Sequence, residues 1–187
     1  MWGVATIARK DTVTVCVYPT LNNQTNQQKD KTMGYFVNIT DQAFFVSNEN
    51  FDAAYKAMCA LNDRDDLKSG GSYGGDGVDS DSPRPEGMTY HPAKWFSWMP
   101  ANYPEVCKDF QSILKEIGFD CDFDADGNLV GVNYDNKIGD EGHFFEAIAP
   151  FVREGSFLEW RGEDGVEWRW FFTGGTVVEQ SATKTWS

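Results

Sequence analysis

Residues 156–180 read SFLEWRGEDGVEWRWFFTGGTVVEQ, and their period decides the fold. Leu158 and Trp160 fall on one side of an extended chain, with Val166, Trp168, Trp170 and Phe172 to pair with. Glu159, Arg161, Glu167 and Arg169 are left for the other side. The spacing predicts three consecutive strands over 156–161, 166–172 and 176–180, an antiparallel meander with one apolar face. Such a face must be covered by something, so helices are expected elsewhere in the chain.

Upstream, the pattern alternates between the two periods. Residues 34–40 and 43–46 read as strand. Asn50 can cap a helix reaching Asn62, whose inward side is Phe51, Ala54, Tyr55, Met58 and Leu61. Pro104 opens a second helix with Val106, Phe110, Ile113, Leu114 and Ile117 on one face and Gly118 just past its end. Residues 119–123 and 129–134 form a hairpin across Asp126-Gly127. Asp140 caps a third helix through Val152, with Phe144, Phe145, Ile148 and Phe151 inward. The order specifies an α+β fold, a mostly antiparallel sheet with about three helices packed on one face. Residues 12–18 (TVTVCVY) also read as strand, and the amide-rich stretch 21–32 has linker composition. Residues 1–32 are therefore expected to be an appendage on a single domain spanning 33–187, with a long irregular loop at 63–103.

At 187 residues the chain suits one domain. Its net charge of −13 disfavours direct binding of nucleic acid or an anionic membrane and points to a basic partner. No stretch is apolar for the roughly 20 residues a membrane span needs, and residues 1–8 are too short for a signal-peptide core, so a cytoplasmic location is expected. The four cysteines, Cys16, Cys59, Cys107 and Cys121, contain no CxxC pair and suit reduced thiols rather than a zinc site.

Several motifs carry partial chemical signals. Asp122, Asp124, Asp126 and Gly127 match the start of a calcium loop, but the twelfth position is Asn133, which has no bidentate carboxylate to offer. Calcium is the one cofactor the sequence suggests, and only weakly. Gly70-Gly71-Ser72-Tyr73-Gly74 spells a nucleophile elbow without the strand that should precede it. Gly74 to Asp79 resembles a single calcium-binding nonapeptide, a motif that works by tandem stacking. His143 and Glu146, three apart on a helix, lack a visible third metal ligand. A His91–Cys107 dyad would need Cys107 to leave an apolar helical face. No catalytic residue emerges.

Two features rise above these. Residues 62–82 carry a net charge of −4 and residues 118–141 a net of −6. Asp63, Asp65, Asp66, Asp76, Asp79, Asp81, Asp120, Asp122, Asp124 and Asp126 would form an acidic face for a partner. Carboxylates two apart along a strand lie about 6.5–7 Å apart, close to the phosphate spacing of a nucleic-acid strand. The second feature is residues 90–104, YHPAKWFSWMPANYP. Tyr90, Trp95, Phe96, Trp98 and Tyr103 on this proline-stiffened loop would anchor a partner at little entropic cost.

Gly34-Tyr35-Phe36 after Met33, the run EGSFLEWRGEDG at 154–165 and Trp168-Arg169-Trp170 resemble small proteins of phages and mobile elements, over residues 33–180. The resemblance implies an accessory protein acting inside a bacterial host and transfers no catalytic residue. Joined to the acidic face and the aromatic loop, it leads to the expectation of a non-enzymatic inhibitor of a host nucleic-acid-binding defence complex, of the anti-CRISPR or anti-restriction type, acting by DNA mimicry. The alternatives are a metal-dependent hydrolase or transferase built on the same carboxylates, and a calcium-stabilised structural module.

Overall fold

A computed structural model describes residues 35–68 and 82–182. The proposed appendage, residues 1–32, lies outside them. The closing meander forms as the sequence predicts: β5 (Phe157–Gly162), β6 (Glu167–Thr173) and β7 (Thr176–Ser181) pair antiparallel in order. Leu158 faces Trp170 and Trp160 faces Trp168 across the first pair, while Glu159 faces Arg169 and Arg161 faces Glu167 on the other side. Val166, expected to pair inward, precedes β6 and is half exposed, because the turn that joins the strands ends one residue later than the apolar alternation.

Strand β1 (Phe36–Ala43) adds to the free edge of β5, with a register shift between Ile39 and Asp41. On its far side β1 pairs with β4 (Asp135–Lys137), completing an antiparallel sheet of order β4-β1-β5-β6-β7. Asp135, Asn136 and Lys137 are all exposed, so no apolar alternation announces β4, and only backbone pairing makes it a strand. The predicted hairpin forms a separate two-stranded sheet of β2 (Asp120–Phe123) and β3 (Leu129–Asn133), turning at Gly127 with φ +79°.

Helix α1 (Phe51–Leu61) forms where expected, but Asn50 does not cap it. A 3-10 turn, Asn48–Asn50, already carries helical geometry into α1, and the Asn50 amide instead donates to the Phe151 carbonyl at 3.2 Å. The expected single helix after Pro104 is two: α2 (Tyr103–Val106) and α3 (Phe110–Glu116). Asp109, in extended geometry, accepts from the Ser112 N–H at 2.7 Å, and the Ser112 hydroxyl oxygen accepts from the Asp109 N–H at 3.1 Å. That capping box restarts the helix, swinging Phe110 against Phe51 at 5.2 Å and leaving Val106 exposed. Helix α4 (Glu141–Ile148) starts without an Asp140 side-chain cap and ends at a 3-10 turn, Ala149–Phe151, where Pro150 lacks the N–H that would continue it.

The core is aromatic. Phe145 of α4 packs on Trp170 and Phe172 at 5.5 and 6.4 Å, and Phe119 and Tyr134 pack on Trp160 at 6.2 and 5.6 Å. Truncating Phe145 to Ala, a ring with no exposed surface, is expected to cost about 3–5 kcal/mol. Glu159→Ala, on the opposite face of β5, should stay within about 0.5 kcal/mol; urea denaturation of both variants measures the difference.

Candidate functional site

The acidic residues divide into two groups with different electrostatic fates. Asp63, Asp65 and Asp66 follow α1, and each meets a cation. Arg64 reaches Asp66 at 2.9 Å, Lys68 reaches Asp65 at 2.7 Å, and Arg84 bridges Asp63 and Asp65 at 3.0 and 2.9 Å. The Lys68 side chain has no exposed surface. Burial pulls its ammonium below the ordinary lysine range, against the opposing pull of Asp65. Burial alone would raise the Asp65 carboxyl, but hydrogen bonds from Lys68 and Arg84 outweigh it and hold Asp65 below the ordinary carboxylate range. Asp65 is thus the centre of a clamp with Lys68 and Arg84, while Asp63 and Asp66 remain exposed but carry their charge beside Arg84 and Arg64. The neutralising partner Arg84 comes from 19 residues beyond Asp65, a pairing that no local spacing reveals. Asp76, Asp79 and Asp81 lie outside the described residues, as do the Gly70-Gly71-Ser72-Tyr73-Gly74 elbow and the Gly74 to Asp79 nonapeptide.

The hairpin is the other group. Asp120, Asp122, Asp124 and Asp126 are exposed, and among the described residues no Lys or Arg forms an ion pair with any of them. The Asp124 carboxylate closes the turn, accepting from the N–H groups of Asp126 and Asn128 at 3.0 and 2.8 Å and from the Asn128 amide at 3.0 Å. The Asn128 bonds, with those from the turn backbone, hold Asp124 below its ordinary range and keep it charged. This is hairpin-turn chemistry rather than calcium-loop geometry, and Asp122 accepts from Asn133 across the ladder at 2.9 Å. The hairpin is fixed from outside too. The Asn48 N–H donates to the Asn128 side chain at 3.0 Å, the Asn48 amide donates to the Asp126 carbonyl at 2.7 Å, and Phe123 packs on Phe51 at 6.1 Å.

The aromatic loop does not present the surface expected of it. Trp95, Phe96 and Tyr103 are 2, 4 and 0 % exposed, and all three pack on Phe144 of α4. The Tyr103 hydroxyl donates to the Met58 carbonyl. These rings fill the domain's own core, because the long loop folds back over α4. Trp98 is half exposed, stacked on Phe96 at 4.9 Å with its indole N–H donating to the Glu116 carbonyl at 3.0 Å. Tyr90 is half buried and lines a cleft of about 210 Å³ with Cys59, Asn62, Asp63 and Glu105, smaller than the roughly 300 Å³ at which ligand pockets begin.

The remaining candidates are occupied. His91 is buried, accepting the Ala93 N–H at Nδ1 and donating from Nε2 to the Ser82 carbonyl at 2.8 Å, which ties Ser82 to the start of the aromatic segment. Cys107 lies 3.9 Å from the Ser112 carbonyl, and burial pushes its thiol up, so no His91–Cys107 dyad forms. His143 Nδ1 lies 3.3 Å from Glu146, whose hydrogen bond raises the imidazole above its ordinary value. Among the described residues no three of His, Cys, Asp or Glu converge to hold a metal ion, and no helix is long and apolar enough to cross a membrane. The sequence reading counts Lys68 only in the charge balance of residues 62–82 and does not find Arg84, although a lysine inside an acidic run and an arginine between two prolines were visible signals. Comparisons with family models, curated proteins and solved structures find no match.

Removing Asp65 strands the buried Lys68 charge, and Asp65→Ala is expected to cost about 3 kcal/mol in urea denaturation near neutral pH. Because the folded Asp65 carboxyl is held low, its contribution is complete above the ordinary carboxylate range. It should disappear as pH falls through the depressed value, so the variant and the parent converge in acid. Asp124→Ala should lower the melting temperature equally in calcium and in chelator, since the carboxylate serves the turn; a loss confined to calcium-containing buffer would contradict that assignment.

Proposed function

We propose that this protein is a non-enzymatic binding protein whose β2–β3 hairpin occupies a basic, nucleic-acid-binding surface of a partner protein. One observation carries the reading: four exposed aspartates on a hairpin anchored by Asn48 and Phe123, with no ion-pairing cation among the described residues. Asp120 and Asp122 sit two apart on β2, the spacing that imitates successive phosphates. Their fixed placement lowers the ordering cost of binding, and complementary charge steers encounter with a basic surface. The resemblance to phage and mobile-element proteins favours a host defence complex, of the CRISPR effector or restriction type, as that partner, with the protein acting as its inhibitor in the host cytoplasm. The metal-dependent enzyme is the weaker reading, because the carboxylates it needs are committed to the clamp or spread along the hairpin.

The experiment compares the full chain with an Asp120→Asn, Asp122→Asn, Asp126→Asn triple variant that spares the turn-forming Asp124. Each is used to retain proteins from a bacterial lysate and then challenged with duplex DNA. Wild type is expected to hold a nucleic-acid-binding complex that DNA displaces, with at least about tenfold weaker retention by the variant, worth about 1.4 kcal/mol. Retention of the same proteins by both chains at every salt concentration would overturn the proposal.

A further inference from the structure

Glu141 opens α4 with no exposed surface. Its Oε1 lies 2.6 Å from the Tyr134 hydroxyl, and its Oε2 accepts the Gly139 N–H. The same Tyr134 hydroxyl lies 2.7 Å from the Lys137 carbonyl oxygen. A phenol has one proton and a carbonyl has none. With Glu141 ionised, two acceptors would compete for that proton and one short oxygen–oxygen contact would hold none. With a proton on Oε1 the set closes: Glu141 donates to Tyr134, Tyr134 donates to Lys137, and Gly139 donates to Oε2.

We infer that Glu141 is a buried neutral acid which, through Tyr134, latches edge strand β4 to the sheet, and that its ionisation as pH rises releases that strand. Burial acts in the same direction, pushing this carboxyl above its ordinary range more strongly than Tyr134 and the backbone N–H groups pull it down. Asp140, next before it, adds to the upward push, and Tyr134 comes from the link between β3 and β4. Lys137 offers only its carbonyl, its ammonium lying 5.3 Å from the Phe36 ring. From the long loop comes the uncharged Phe96 ring, which a Cβ on Gly139 would approach to 3.0 Å. Phe119 and Trp160 pack on the Tyr134 ring, and His143, further along α4, is paired with Glu146.

Loss of the Glu141 proton to solvent hydroxide turns the Tyr134 proton toward the carboxylate and leaves the Lys137 carbonyl without it. Strand β4 has only three residues in register with β1, flanked by the Ile39 N–H to Tyr134 carbonyl and Ile138 N–H to Tyr35 carbonyl bonds, so the loss falls on a short edge pairing. A newly buried charge adds to the strain on the fold.

The test is Glu141→Gln in the full chain. The amide N–H can donate to Tyr134 and the amide oxygen can accept from Gly139, so the variant keeps the neutral arrangement at every pH. For an acid whose folded value is raised, stability is complete below the ordinary carboxylate range and falls as pH rises toward the folded value. The wild-type unfolding constant should therefore climb relative to the variant, by up to about tenfold per pH unit, as pH rises above the ordinary carboxylate range toward the folded value. The Ile138 N–H, bonded to the Tyr35 carbonyl at 3.0 Å, should exchange faster in wild type than in the variant at the upper end. Parallel curves with equal exchange would overturn the latch. Carboxyl carbon NMR of glutamate-labelled wild type decides the protonation without any variant: one glutamate should remain protonated after the others have titrated, and titration of all of them together would refute the inference.

Discussion

The indole of Trp160 is the contact through which the layers of the fold meet. It faces Trp168 across the β5–β6 ladder with rings nearly parallel, and it touches Trp170 at 4.8 Å. From the other side Phe119, which links α3 to the hairpin, and Tyr134, which links the hairpin to β4, close on it. Aromatic pairs of this kind add about 0.5–1.5 kcal/mol each beyond the area they bury, and here they join segments far apart in the chain. The position of the acidic hairpin and that of the edge strand both depend on how these rings settle.

Lys68 and Glu141 are both enclosed in this interior, and the fold handles them in opposite ways. Lys68 stays at the end of a salt bridge to Asp65, reinforced by Arg84. Glu141 instead meets a phenol and backbone N–H groups, with no cation paired to it among the described residues. A buried charge must be paired or neutralised, and both solutions occur within one small domain. The first ties the residues that follow α1 to Arg84. The second governs the passage from the hairpin to the sheet edge.

Much of the architecture was legible because it rests on local periodicity. The meander shows in the two-residue alternation of Leu158, Trp160, Trp168 and Trp170, and α1 shows in the spacing of Ala54 and Met58. The break between α2 and α3 was also written in the sequence, as Asp109 three before Ser112, but the apolar period running through it masked the signal. Strand β4 had no side-chain signature, since its three polar residues are extended only because β1 offers an edge. The site was less legible than the fold. Aspartates at 63–66 and 120–126 look alike as composition, and what separates them is pairing with Arg64 and Lys68 nearby and with Arg84, a long-range neighbour. Trp95, Phe96 and Tyr103 on a proline-rich loop read equally well as anchor or as core, and the location of Phe144 settles them as core.

The anchoring of the hairpin by Asn48 and Phe123 has an electrical consequence. Charges on a swinging arm average over orientations, whereas carboxylates held in a frame give the molecule a pole of fixed direction. A nearby positive surface within roughly a Debye length, about 8–10 Å at cellular ionic strength, would exert a torque on that pole and turn the hairpin forward before any atoms touch. Orientation would then precede contact, and added salt would slow arrival more than it hastens departure.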